Sequence, residues 1–166
     1  MKIAATAALF AALFTTSALA AEAIINVTAN VDTALELRNA DGTLLEQNVR
    51  MGYLPGVGLD GHRMQTKIYT NDKTKNVEVR LGSQPQLLHA TNTSADPVAL
   101  AVSLGGKSLT TNNITFTTTE LFDTASGVGQ SITLPLVISQ ATKGVIGTSG
   151  TYNGMVQLVL AQAVGS

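Results

Sequence analysis

Ile25-Asn26-Val27-Thr28-Ala29-Asn30-Val31-Asp32 is the stretch on which the reading of this chain turns. Its alternation is strict. Ile25, Val27, Ala29 and Val31 fall on one face, and Asn26, Thr28, Asn30 and Asp32 on the other. In a β-strand successive side chains point to opposite faces, so the pattern is that of a half-buried strand. Two readings are open from the residues alone. The segment is the first strand of its own domain, or it leaves that domain and completes a neighbour's sheet by β-strand addition, with main-chain hydrogen bonds for affinity and alternate side chains for specificity.

Upstream of this strand lies an export signal. Met1-Lys2 carries one positive charge, Ile3 to Leu19 carries none, and the apolar residues are densest at Ala7–Phe14. Ala18-Leu19-Ala20 presents small residues at the positions a signal peptidase inspects, so cleavage is expected between Ala20 and Ala21. The apolar run is short for a bilayer span, which needs about 20 apolar residues. Removing 20 of 166 residues leaves 146, the size of one domain. Lys2 leaves with the leader, so nine basic residues face eleven acidic ones. No basic patch stands out, and nucleic acid is not an expected partner. The chain has no cysteine and no tryptophan, so an exported domain must fold without disulfides and any sugar site must do without indole platforms.

Downstream the alternation continues, broken by turn residues every few positions. Strands are expected over Val31–Leu37, Val49–Leu54, Met64–Thr70, Asn76–Leu81, Gln86–Ala90, Val98–Leu104, Lys107–Leu109, Ser131–Ser139 and Met155–Ala163. Asn39-Ala40-Asp41-Gly42, Pro55-Gly56 and Asn71-Asp72-Lys73 are turn signals, and Gly105-Gly106 a tight hairpin. Pro135 argues that its strand lies at an edge or carries a bulge. Little reads as helix. Many short strands at this spacing predict an all-β, antiparallel, immunoglobulin-like sandwich, with a barrel as the alternative. The glycine-rich stretch Gly56–Gly61 has no evident role at this level.

Chemistry is sparse. The histidines are His62 and His89, and Asp60 is two residues from the first. Neither spacing marks a metal site, and no Gly-x-Ser-x-Gly elbow occurs. No catalytic residue, metal or cofactor is expected.

The segment Glu22–Asp32, followed by Leu35-Glu36-Leu37 and Ala40-Asp41-Gly42, resembles the start of the major pilins of the alternate chaperone–usher pili. These are the class 5 fimbriae, which include enteric colonisation-factor fimbriae and the cable pili, and the chain resembles the cable-pilus major subunits among them. Thr70–Val77, Gln84–Leu87, Ala125–Val128, Leu136–Ser139 and Tyr152–Val156 extend the resemblance over the mature chain. It implies an incomplete immunoglobulin-like sandwich completed by a donor strand from a neighbouring subunit. The implied layout is a signal peptide over 1–20, a donor strand over 21–33 carrying Ile25, Val27, Ala29 and Val31, and a pilin domain over 34–166. The implied partners are further copies of the chain in a head-to-tail homopolymer, a periplasmic chaperone, an outer-membrane usher, a minor tip subunit, and host mucin or another glycoprotein. The implied address is the cell-surface fimbrium, reached through the periplasm. Thr33 stands where the family usually has a proline, so the bend after the donor strand is less restricted here.

Overall fold

The computed structural model describes residues 35–124 and 126–163. The expected cleavage residues Ala20 and Ala21, the donor-strand residues Ile25, Val27, Ala29 and Val31, and Thr33 lie outside the described residues.

Among the described residues there are twelve short strands and one helical turn. They are β1 (Leu35–Asn39), β2 (Tyr53–Leu54), β3 (Gly58–Leu59), β4 (His62–Thr70), β5 (Val77–Leu81), β6 (Gln86–His89) and β7 (Val98–Leu104). After them come β8 (Lys107–Leu109), β9 (Ile114–Phe116), α1 (Thr118–Leu121), β10 (Leu134–Gln140), β11 (Tyr152–Gly154) and β12 (Leu158–Gln162). The turn chemistry ends strands where the sequence places it. Asp41 Oδ1 accepts the amide and hydroxyl of Thr43 at 2.9 and 2.7 Å, and Asp72 Oδ1 does the same for Thr74 at 2.9 and 2.6 Å. These bonds hold both carboxyls below the ordinary aspartate range. Gly105 and Gly106 both have positive φ, 55° and 84°, as a type I′ hairpin requires.

Among the described residues every strand pairing is antiparallel. The larger sheet runs β1-β4-β10-β7-β6-β11, with β8 also on β7, and the smaller runs β12-β5-β9. The two sheets pack face to face. Ile68, Leu100, Val102, Leu104, Leu134, Leu136 and Ile138 from the larger sheet meet Val77, Val79, Leu81 and Phe116 from the smaller in one buried cluster. Burial of each such side chain contributes about 1.5–3 kcal/mol. The alternation read from the sequence in β4, β5 and β7 is the alternation of burial.

Three expectations are revised. Pro135 sits near the start of β10, a central strand between β4 and β7. Its carbonyl accepts Gly105 N–H at 2.9 Å, so the side lacking an N–H faces the Gly105-Gly106 turn, where β7 has already ended. No ladder donor is lost there. Second, within Val49–Leu54 the strand is Tyr53–Leu54, and within Met155–Ala163 it is Leu158–Gln162. Third, β3, β9, β11 and α1 have no counterpart among the expected elements. Thr117 and Glu120 form a capping box around the single turn of α1, whose one buried residue is Leu121.

Candidate functional site

The two sheets are not equally closed along their edges. Among the described residues β1 pairs only with β4, and β12 only with β5. Their burial differs from that of the interior strands. All five residues of β1 are half-buried, and so are four of the five in β12, whereas β5 and β7 alternate with fully buried positions. Gln162 at the end of β12 donates to Thr70 Oγ1 at 2.9 Å, and Thr70 is the register partner of Leu35. The free edges of β1 and β12 therefore approach at that end.

Away from that end an open groove of about 1100 Å³ enters the sandwich. Leu45 to Met51 and Thr148 to Val156 with Leu158 line it, together with Leu100, Leu136 and Ile138 of the core. Met51, Met64, Leu87, Val156 and Leu158 pack on the core yet stay only partly buried. The groove is thus an access to the hydrophobic core itself. Its lining is mostly uncharged, with Glu46 and Arg50 in the Leu45–Met51 stretch.

Both histidines tie this region together. His62 Nε2 lies 3.3 Å from Glu46 Oε2 and has no hydrogen bond in line, so the contact is electrostatic when the imidazole is protonated. It fastens the Leu45–Met51 wall to the start of β4. His89 Nδ1 faces the amides of Thr91 and Asn92 at 3.2 and 2.9 Å, so it is the acceptor, and the opposite nitrogen donates to Ser149 O at 3.0 Å. The Tyr152 ring packs edge-on against His89 with centroids 4.9 Å apart, and its hydroxyl donates to Thr148 O at 3.0 Å. These contacts use the polar groups of His89 and Tyr152 for loop geometry. Among the described residues no three of His, Cys, Asp or Glu cluster as metal ligands.

The residues that line the groove carry no distinguishing mark in the sequence. Leu158 reads there only as part of an expected strand over Met155–Ala163.

An antiparallel β-sandwich with an open groove onto its hydrophobic core, and with polar side chains that brace loops, falls in the class of structural β-proteins. The model of the CS1 type fimbrial major subunit family matches residues 21–161, and this chain belongs to that family. It is 41% identical over 148 residues to a CFA/I fimbrial subunit of Escherichia coli, covering 87% of this chain and 86% of the relative. It is 33% identical over 160 residues to a CS1 fimbrial subunit of Escherichia coli, with 92% of each covered. The solved structure of the CooA pilin subunit from enterotoxigenic Escherichia coli superposes with a TM-score of 0.69 at 29% identity, over 80% of this chain and 89% of that one. A chain in a structure titled for a chaperone–tip adhesin complex and CFA/I fimbriae biogenesis shares the fold, with a TM-score of 0.54 at 13% identity, over 78% of this chain and 42% of that one. The immunoglobulin-like pilin fold expected from the sequence is the observed one. The chain is a structural subunit of surface fimbriae, and the family is not enzymatic.

Proposed function

We propose that this subunit polymerises head to tail by lending residues 21–33 to a neighbour, with Ile25, Val27, Ala29 and Val31 facing the core through the groove. The observation that carries the reading is the groove's lining: residues of β11 and β12, each an outermost strand of its sheet among the described residues, meet core residues there, and Met51, Met64, Leu87, Val156 and Leu158 remain half covered. A seven-residue strand spans roughly 20 Å, on the scale of the strands it would join. Each large aliphatic side chain inserted contributes about 1.5–3 kcal/mol, with less from Ala29. Ordering a free arm offsets part of that. Head-to-tail insertion is heterologous and does not close, so it builds a filament.

Before insertion the groove needs a substitute strand. A periplasmic chaperone supplies it in this reading, and an outer-membrane usher exchanges it for the next subunit's arm. A minor tip subunit ends the fibre. The shared fold with a chain from a structure titled for a chaperone–tip adhesin complex in fimbrial biogenesis supports the chaperone step. Many shaft copies displayed together would give weak binding to host mucin or another glycoprotein by multivalency. Cleavage between Ala20 and Ala21 leaves only Ala21–Ile24 ahead of the apolar series, and the family match itself begins at residue 21.

The test compares mature protein with and without residues 21–32. Intact material is expected to form SDS-resistant ladders. The truncated form is expected to stay monomeric and unstable until a peptide of residues 21–33 is added. A stable truncated monomer, or undiminished polymerisation without the arm, contradicts the reading.

A further inference from the structure

Strand β4 gives the body two ends. Its nine residues run from His62 to Thr70, about 26 Å apart at the usual strand rise. The ends differ in what they expose.

At the His62 end the β2–β3 hairpin projects an uncharged apolar tip. Tyr53, Leu54 and Val57 are 45%, 50% and 40% exposed, and Pro55 between them is exposed too. The tip is rigidly built. Val57 N–H donates to Leu54 O at 3.0 Å across Pro55-Gly56, and Gly56 has the φ of 80° that a type II turn needs. Gly58, with a φ of 114°, lies so close to Gln140 and to the Gly144 backbone that no larger residue fits. Leu59 N–H donates to Gln140 Oε1 at 2.9 Å, and Asp60 N–H to Gly52 O at 2.8 Å. The glycines of Gly56–Gly61 thus serve to hold an apolar tip out from the body. Val145, 64% exposed, follows Gly144 on the adjoining loop.

At the Thr70 end the loop over 126–130 carries Val128, which is fully exposed. This loop is fastened as well. Gly129 O accepts Thr70 N–H at 2.9 Å, Gly127 O accepts Lys73 Nζ at 3.1 Å, and Gln130 bridges to Tyr69. Val128 is flanked by Gly127 and Gly129, so its surroundings are small enough to admit a partner closely.

Neither feature is explained within one subunit. We infer that they are the two halves of one contact, in which Val128 of one subunit docks against Tyr53, Leu54 and Val57 of the next. The occupant is a second copy of this chain, for two reasons. The chain preceding Leu35 joins the body at the Thr70 end, because Leu35 pairs with Thr70. The groove is lined by Tyr53, Leu59, Leu100 and Ile138, all at the His62 end. Inserting the arm of one copy into the groove of another therefore brings the Val128 end of the first onto the hairpin end of the second. The touching residues Val128, Tyr53, Leu54 and Val57 carry no charge, and the lysines beside the loop, Lys67 and Lys73, are already hydrogen-bonded to Gln130 and Gly127, so the contact need not bury an unpaired charge. The contact rests on the head-to-tail reading and adds to it a surface that sets how neighbouring bodies abut.

The absence of cysteine makes the test direct. Fimbriae are assembled from the full chain carrying Val128→Cys with Leu54→Cys, and in parallel Val128→Cys with Val57→Cys. They are oxidised mildly, heated in SDS and urea, and run without reductant. A disulfide forms only when the two Cα atoms come within about 7 Å. The expected result is a ladder of many rungs that collapses on reduction, with no ladder from Val128→Cys alone or paired with Thr115→Cys on β9. Normal fimbriae without a ladder from either hairpin position overturn the contact. Val128→Asp gives a second reading. It is expected to leave the melting temperature of monomer complemented with peptide 21–33 unchanged and to shorten or abolish fimbriae. Val128→Asp fimbriae as long and numerous as wild type also overturn it. If polymerisation survives loss of residues 21–32, the donor-strand reading fails separately. Arm-dependent fimbriae without cross-links fail only the contact.

Discussion

Lys107 Nζ sits 2.8 Å from Glu120 Oε1 and 3.0 Å from Oε2, joining the β7–β8 hairpin to the helical turn α1. The same carboxylate accepts the Thr117 amide at 2.7 Å and its hydroxyl at 3.0 Å. The Lys107 bond first, and then the two from Thr117, lower the Glu120 pKa to about 2.

This tie predicts an acid-dependent stability difference. The unfolded chain takes up a proton at Glu120 near the ordinary value of 4.5, and the folded chain only near 2. The stabilisation is therefore complete above about pH 5 and lost as pH falls through the interval between those values. Peptide-complemented monomer and its Glu120→Gln variant are expected to differ in melting temperature at pH 7 and to converge by about pH 2. A gap that stays constant across this range would show that the charge is not its source.

Ser131 is fully buried and stands in for a backbone partner. Its hydroxyl oxygen accepts Ile68 N–H at 2.9 Å while the hydroxyl donates to Ile132 O at 2.7 Å. Ser131→Ala leaves the buried Ile68 amide short of that acceptor, and a loss of about 1–3 kcal/mol is expected. Urea unfolding of the complemented monomer measures it. A change under a few tenths of a kcal/mol would mean that the Ile68 amide is satisfied without the hydroxyl.

Gly154 closes β11 against β6. A Cβ there would meet the carbonyl oxygen of Gln86 and the side chain of Leu87. Because the obstacle is backbone, Gly154→Ala is expected to push β11 outward at a cost of about 1–3 kcal/mol. β11 forms part of the groove wall, so binding of peptide 21–33 should weaken too. Hydrogen exchange at Tyr152–Gly154 and a peptide titration read both effects, and wild-type affinity in a well-folded variant would remove β11 from the binding surface.

The donor face is tested by position. Val27→Asp and Val31→Asp each place a charge where the strand meets the core, and loss of assembly is expected. Thr28→Asp puts the same charge on the opposite face and should cost much less. Fimbrial yield and SDS-resistant ladders report the difference. Equal loss from all three variants would contradict the proposed face.

Much of the fold is legible in the sequence because period-two alternation is a local property. Val77, Val79 and Leu81, or Val98, Leu100, Val102 and Leu104, announce both a strand and its inward face, and each of these residues is buried. Asp41, Asp72 and Gly105-Gly106 announce their turns for an equally local reason, since the side chain or the positive φ acts within a few residues. The single turn of α1 is not legible, because four residues are too few for a helical period to emerge.

The sequence by itself determined that the chain is β-rich, that its first twenty residues have the pattern of an export leader, and that Ile25, Val27, Ala29 and Val31 alternate with polar neighbours. Only the tertiary structure decided what lies beside each strand. Pro135 suggested an edge, and β10 is central, because the side without an N–H meets the β7–β8 turn rather than a strand. Met155–Ala163 read as one long strand, and only Leu158–Gln162 forms β12, with Leu158 lining the open groove. Alternation specifies which way a side chain points within its own strand. The partner across the edge is chosen by hydrogen bonds to residues far along the chain, and a sheet left one neighbour short carries the same alternation as a complete one.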